Sequence, residues 1–466
     1  MLQKLFQLLM QLHQQNHGQY KKSIPILIAT LFSCILLIIT VLADGFIGMS
    51  LLLVCLMFAY AINRQGFSWQ HILDMSKKGV HTAMIVIQVF LFIGLLTATW
   101  QASGTMPAII DYGLGLIQPR LFILFAFLLP TLVSYLIGTS LGTIGTIGLA
   151  LIIMARAGGI PESIVTGAII AGAYVGDRGS PMSSSAVLTA TLTHTKVPEN
   201  LPIMFKNALL ALLISCALYF VLALLFPLNV AQSNLPHLIE EAFYIGPELF
   251  IPVIIMLAFI LLRVPVKLSI LASALSAAIL AIIYQGYTPL EIGKFMIMGF
   301  ELPAHPELGK IIHGGGLISM LGAAIVVTVS CALSSLIEGA GLLSQLNTFL
   351  ERLQSRTKIF KANIIISWLT AAIGCSQSVS TVMTYCIMRT TYARASIQDK
   401  DFLLDLENTG IVMAALIPWN IAALVGTTML ETSMTAYLPF AFYLYLLPLT
   451  HWWKLKRKEK QFTLRT

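Results

Sequence analysis

Asp177 and Arg178 stand side by side in the string AYVGDRGSPMSSSA, residues 173–186, inside a run that otherwise reads as lipid-embedded helix. A carboxylate there is a hard oxygen ligand that can carry either a proton or a sodium ion, the minimum chemistry for exchanging one for the other. Gly176 and Gly179 loosen the helix and Pro181 removes a backbone donor, so freed carbonyls become candidate cation ligands. Ser180, Ser183, Ser184 and Ser185 offer neutral oxygens nearby. The competing structural reading is an ion pair between Asp177 and Arg178 or a neighbouring helix.

A second stretch, ENTGIVMAALIPWN at 407–420, repeats the logic with Glu407, Asn408, Thr409 and a break at Pro418-Trp419-Asn420. Two hydroxyl clusters accompany these stretches: Thr139, Ser140, Thr143 and Thr146 in the first half, and Ser376, Gln377, Ser378, Ser380 and Thr381 in the second. Singly, such residues most often bond their own backbone or a neighbouring helix. As clusters flanking two helix breaks they read as site lining. Glu338, in an otherwise apolar run, is either a further proton carrier or an interfacial loop-end carboxylate.

The elements that must hold these groups are membrane helices. The chain is 57% apolar and 10% charged, with a mean hydropathy of +0.86, which excludes a soluble enzyme and places it in the polytopic membrane class. Ile24 to Ala43 is free of charge and long enough for one crossing, and similar runs recur to residue 453, giving about 10–12 spans. Leu2, Leu5, Phe6, Leu9 and Leu12 fall at helical spacing, which suits an interfacial helix as well as an ordinary polar leader, and the apolar run after them reads as an uncleaved span. The six cysteines sit in apolar runs without paired spacing and read as small buried hydrophobes. The net charge of +8 concentrates in loops and in the tail KLKRKEK at 454–460, so it argues for cytoplasmic anchoring of both termini and against nucleic acid.

The two halves match at a nearly constant offset. ATWQASGTM (98–106) faces SSLIEGAGL (334–342), GTSLGTIGTIG (138–148) faces GCSQSVSTVMT (374–384), and Pro181 faces Pro418, all at 236 or 237 residues. Loops at matching positions carry opposite charge bias: basic 62–81 against acidic 298–317, and the turn at 118–120 against 351–361 with Arg352, Arg356, Lys358 and Lys361. Matching loops should then lie on opposite membrane faces, which predicts inverted-topology repeats. The expected organisation is an amphipathic segment at 1–23, a first repeat at 24–230, a connecting loop at 231–247, a second repeat at 248–453 and a basic tail at 454–466.

GTSLGTIGTIGLAL, GDRGSPMS, WQASGTMP, LENTG and LIPWN resemble the signatures of the NhaC-type sodium/proton antiporter family within the ion transporter superfamily, over most of residues 24–453. The resemblance implies an inner-membrane secondary antiporter with broken or re-entrant helices, transporting sodium and protons without a cofactor. Its matching positions are Gly176, Asp177, Ser180, Pro181, Ser183, Gly138, Thr139, Ser140, Glu407, Thr409, Gly410, Pro418, Trp419 and Asn420. The family pattern has Lys where this chain has Arg178, Asp where it has Ser184, and an acidic residue where it has Asn408. Expected partners are sodium, protons and membrane lipid, with a homodimer left open.

Three rival readings remain. A sodium- or proton-coupled carrier of a small organic acid or amino acid suits the hydroxyl clusters and Arg178 equally well. A passive channel suits carboxylate-bearing broken helices less well. Gly138-Thr-Ser-Leu-Gly142 fits a nucleophile elbow and His313-Gly-Gly-Gly316 an oxyanion loop, with His194 or His313 as base to Ser140, but their order and context are wrong for the hydrolase fold. No enzymatic activity is expected.

Overall fold

The computed structural model describes residues 45–116, 118–228, 235–262, 264–303, 305–309, 314–340, 350 and 353–463, with parts of 28–43. The segment expected at 1–23 and His313 lie outside them. The main helices are α1 (Ile47–Arg64), α2 (Trp69–Ala102), α3 (Thr105–Leu116), α4 (Phe122–Ile137), α5 (Ser140–Ala157), α6 (Glu162–Gly179), α7 (Ser184–Leu192) and α8 (Val197–Leu225). They continue as α9 (Ile251–Leu261), α10 (Val266–Gln285), α11 (Pro289–Met298), α12 (Leu321–Gly339), α13 (Arg356–Gly374), α14 (Gln377–Arg394), α15 (Asp399–Leu416), α16 (Ile421–Met429) and α17 (Phe442–Thr463). Among the described residues the only β-pairing is an isolated bridge between Phe300 and Gly314. The protein is an all-α, multi-pass membrane protein.

Among the described residues seven helices are long and apolar enough to cross a membrane, or eight counting the pair α15 and α16, which is bent by 52° at its break. The expectation of about 10–12 rested on apolar runs, some of them reaching into undescribed residues. The rest of the difference lies in helices such as α6, whose residues Ile164 to Arg178 are all buried. A helix surrounded by protein needs no lipophilic surface and can be built from Gly, Ala, Ser and Thr, which lowers its hydropathy without moving it out of the bundle.

The chain forms two compact units. The first joins Met1–Met84 to Ile325–Ser344. Its core packs Ala59, Ile62, Ile72, Met75 and Leu336, and Gly79 lies so close to the other segment that a Cβ would fall 2.2 Å from the Cys331 carbonyl oxygen. The second unit, Ile85–Ala324 with Gln345–Thr466, holds α4 to α8 and α13 to α17. Within it α4 and α6 pack most intimately. Gly172 and Gly176, four residues apart, face α4: a Cβ at Gly172 would sit 2.4 Å from the Phe127 carbonyl oxygen, and one at Gly176 2.1 Å from the Ser134 carbonyl carbon. Small residues at this spacing let membrane helices approach to backbone contact, and the Ser134 hydroxyl uses the closeness to donate to the Ala173 carbonyl.

Local geometry in the second unit repeats at an offset of 237 residues. Helix α7 (Ser184–Leu192) shifts onto α16 (Ile421–Met429), and α6 (Glu162–Gly179) onto α15 (Asp399–Leu416). Left-handed residues repeat too, with Gly138 (φ 78) and Cys375 (φ 53), Gly159 (φ 69) and Ser396 (φ 53), and His194 (φ 53) and Glu431 (φ 52). Such conformations are unfavourable for non-glycine residues, so their recurrence at one offset marks a shared backbone plan and not a shared composition.

The basic tail is the end of α17. Arg457 lies over the Trp453 ring at 4.0 Å, and Lys361 and Lys456 flank Trp452 at 4.8 and 5.2 Å, an aromatic-cationic belt of the kind found at membrane interfaces. Glu459 accepts hydrogen bonds from Ser355 Oγ (2.6 Å) and from the Thr357 hydroxyl, which hold its carboxyl below the usual carboxylate range and dock the tail on the first turn of α13.

Two predictions follow from this packing. Gly172→Ala forces α4 and α6 apart and lowers stability by about 1–3 kcal/mol, read as a lower unfolding temperature of the purified protein in detergent. Because the Glu459 pKa is depressed, its docking contribution is complete above the ordinary carboxylate range and is lost as pH falls through the lowered value. Glu459→Gln should therefore speed amide exchange over 454–463 at neutral pH, whereas the parent tail loses protection only in acid.

Candidate functional site

The site begins where α6 stops. Ser180 closes α6, Pro181 and Met182 turn the chain, and Ser183, extended at φ −70 and ψ 127, starts α7. The Ser183 hydroxyl accepts from the backbone N–H of Ser185 (3.1 Å) and Ala186 (3.2 Å) and donates to the Asp177 carbonyl, so one side chain joins both helix ends. Ser180 Oγ accepts from Met182 N–H at 3.1 Å.

A second break lies against the first. Gly138 adopts the left-handed conformation after α4, and a Cβ there would meet the Met182 carbonyl carbon at 2.5 Å and Ser183 N at 2.7 Å, so glycine is required by both conformation and space. Thr139 caps α5, and Ser140 is thereby aimed at α6. The other half repeats this apposition. Cys375 is left-handed after α13, its carbonyl accepts from Ile421 N–H at 2.7 Å, and Asn420 and Trp419 donate to the carbonyls of Ala371 (2.8 Å) and Ala372 (2.7 Å). Asn420 also caps α16 as Ser183 caps α7, accepting from Ala422 N–H at 3.0 Å, with Pro418 buried in the turn before it.

At the crossing lies Asp177, only 6% exposed. Its Oδ2 accepts from Ser140 Oγ (2.9 Å) and Gln377 Nε2 (3.2 Å), and its Oδ1 from Ser185 Oγ (3.3 Å). Gln377 Nε2 also donates to Ser185 Oγ at 2.9 Å, and the Tyr174 hydroxyl donates to Gln377 Oε1 at 3.2 Å, which fixes the amide with its NH2 toward the carboxylate. Residues from both halves thus close on one oxygen pair. Every donor is neutral.

Arg178 points elsewhere. Its Nη2 donates to Asn408 Oδ1 at 2.8 Å and its Nη1 to the Met204 carbonyl at 3.1 Å, while Nε is buried without a partner. Among the described residues neither Asp177 nor Glu407 joins an ion pair. Glu407 is fully buried: Oε1 accepts from the Thr189 hydroxyl, Oε2 has no partner, and both Asp177 and Arg178 lie within electrostatic range. Glu407 sits in a widened turn of α15 spanning Glu407–Ile411, an irregularity often found at functional positions.

Other expected residues fall around this centre. Thr143 and Thr146 bond carbonyls of their own helix, and Thr409 accepts from Asn363 Nδ2 and Ser367 Oγ (both 2.9 Å) while donating to the Asp405 carbonyl. Ser380 pairs with Thr370 at 3.1 Å, and Thr381 donates to the Gln377 carbonyl at 2.8 Å. Ser376 starts α14 half-buried, Ser378 and Ser184 are exposed, a Cβ at Gly179 would have open space, and Glu338 is an exposed residue of the first unit. The structure adds Tyr174, Thr189, Asn207, Asp405 and His451, which the sequence reading passed over. Asp405 and His451 were findable, as ionisable groups beside apolar runs.

Asn408 leads into a buried chain. Its Nδ2 donates to Asn207 Oδ1 at 3.0 Å, Asn207 Nδ2 meets His451 Nδ1 at 2.6 Å, and His451 Nε2 meets Asp405 Oδ1 at 2.8 Å. Asp405 also takes Arg356 at 2.6 Å and the Tyr392 hydroxyl at 2.6 Å.

Comparison with known proteins identifies the family. The chain is 30% identical over 393 residues to the Na(+)/H(+) antiporter NhaC of Bacillus subtilis (strain 168), covering 82% of this chain and 86% of the relative. It is 28% identical over 383 residues to the Malate-2H(+)/Na(+)-lactate antiporter of the same organism, covering 81% and 82%. It is 26% identical over 389 residues to the arginine/ornithine antiporter ArcD of Halobacterium salinarum, covering 81% and 79%. With a match to the family description over residues 17–199 and 192–451 as well, the chain belongs to the Na+/H+ antiporter family.

Proposed function

We propose that the protein exchanges Na+ for H+ across the bacterial inner membrane, with Asp177 as the shared site. The observation that carries this is a buried carboxylate that accepts three neutral hydrogen bonds and has no countercharge. A bare charge in such a place is costly unless a cation or a proton neutralises it. One proton or one sodium ion satisfies the same need, so the two compete.

Ser140 and Ser185 suit both states, because a hydroxyl can donate to the carboxylate or turn its lone pairs toward a cation. Gln377, held by Tyr174, keeps its donor on Asp177 and ties the site to the second half. Glu407, with one oxygen unpartnered, assists as a second proton carrier or in drawing the cation inward. The halves form inverted repeats, both termini face the cytoplasm, and the breaks at Pro181 and Pro418 let one repeat-derived unit move against the other to expose the site alternately. A second reading draws on the relatives named for malate, lactate, arginine and ornithine and on the unpartnered Arg178 Nε: a small organic solute is carried, with Arg178 as its anchor.

In sealed proteoliposomes with an internal pH dye, a Na+ or Li+ gradient should drive proton flux that Asp177→Asn lowers by about 100-fold or more. Unchanged flux in that variant sinks the assignment to Asp177. No sodium-driven flux in the parent overturns the exchange itself and directs the same assay to carboxylates and amino acids. Glu407→Gln should reduce the rate by roughly tenfold while leaving sodium protection of the folded protein detectable by thermal shift.

A further inference from the structure

The buried chain between Arg178 and Asp405 has a single allowed direction. A guanidinium only donates, so Asn408 must present Oδ1 to Arg178 and therefore Nδ2 to Asn207. Asn207 accepts with Oδ1 and so presents Nδ2 to His451 Nδ1, which must be the acceptor. His451 then carries its proton on Nε2 and donates to the Asp405 carboxylate, an acceptor only. Starting from Asp405 gives the same assignment. A cation at one end and an anion at the other thus fix every amide and the imidazole tautomer between them.

We infer that Asp405, His451, Asn207 and Asn408 are positioning residues that hold Arg178 away from Asp177, and that protonation of His451 at Nδ1 reverses the chain and releases Arg178. A proton on Nδ1 faces the Asn207 NH2 donor to donor. Rotation of the Asn207 amide relieves that clash but turns its NH2 toward the Asn408 NH2, and rotation of Asn408 turns an NH2 toward the guanidinium. Arg178 then loses its acceptor at Nη2 and keeps the Met204 carbonyl, with the Tyr443 hydroxyl beside it.

The surroundings decide what His451 feels. On α15 it faces Asp405, whose charge is shared with Arg356 of α13 and the Tyr392 hydroxyl of α14. From α13 the Phe360 ring meets the imidazole edge-on at 4.7 Å. On α8 it faces Asn207, whose carbonyl takes Lys454 Nζ, from α17 itself, at 2.9 Å. Arg178 of α6, Glu407 of α15 and the Tyr443 hydroxyl of α17 lie beyond Asn408.

The consequence for exchange rests on the function proposed above: Arg178 already lies within electrostatic range of Glu407 where it is held, and once released, beside the Asp177 it follows in sequence, it supplies that carboxylate with the countercharge that a sodium ion would otherwise supply. Acid on the His451 side would then shut the site.

The test reads Arg178 directly and needs no substrate. Purified full-length protein is treated with phenylglyoxal across pH, and modification of Arg178 is quantified by peptide mapping relative to exposed Arg120. The expected result is a rise in relative Arg178 modification of about tenfold on acidification. His451→Gln, which keeps a donor for Asp405 and a neutral acceptor, should abolish the rise. Asn207→Asp, whose carboxylate accepts from Nδ1–H and from Asn408 Nδ2 at once so that no amide has to rotate, should also abolish the rise and covers the case in which His451→Gln does not fold. A flat parent profile, or a rise that persists in His451→Gln or in Asn207→Asp, overturns the inference. A proteoliposome assay without sodium-driven flux leaves this readout intact and counts only against the exchange.

Discussion

The second unit is organised around a buried carboxylate with no countercharge. Asp177 is buried on a helix that packs to backbone contact with α4, and its oxygens face two serines and one glutamine in place of a cation. Arg178 is its neighbour in sequence, but adjacent helix residues point about 100° apart, and Arg178 finds its acceptors on α8 and α15. That divergence leaves Asp177 without a paired cation among the described residues.

The two breaks, repeated in each half, explain how such a group is held. A helix end in lipid exposes carbonyls and N–H groups that need partners. Here each end is satisfied by the break beside it: Ser183 and Asn420 cap the following helices, and Gly138 and Cys375 let the other chain approach. The polar cost of interrupting one helix is met by interrupting the neighbour that lies against it. The gain is a set of side chains at the crossing that a continuous helix would have turned toward its own groove.

Sequence reasoning located the breaks, Asp177, the serines and the offset between halves, because Gly, Pro and clustered hydroxyls in an apolar run are local signals. It did not separate Thr143, Thr146 and Thr409, which satisfy backbone or scaffold, from Ser140 and Ser185, which reach the carboxylate. That distinction depends on which way a side chain faces across helices, and spacing along one helix does not carry it. Glu338 reads by its flanks as either a proton carrier or a loop-end carboxylate, and the structure places it, exposed, near the end of α12 in the first unit. Asn207 is unremarkable within its own run, and Asp405 and His451, though visible as ionisable groups, gain their roles only from partners 46 to 244 positions away.

The departures from the resembled family pattern make sense together. An acidic residue at position 408 would neutralise the cation at 178 where it stands. Asn408 cannot, and passes the need for an acceptor through Asn207 and His451 to Asp405. Arg in place of Lys fits the same change, because a planar fork addresses the Met204 carbonyl and the Asn408 amide with separate nitrogens, where an ammonium would act as a point charge. Moving the anion away from the cation replaces a local charge pair with a polarised chain, and a chain of defined direction can be reversed where a charge pair can only be broken.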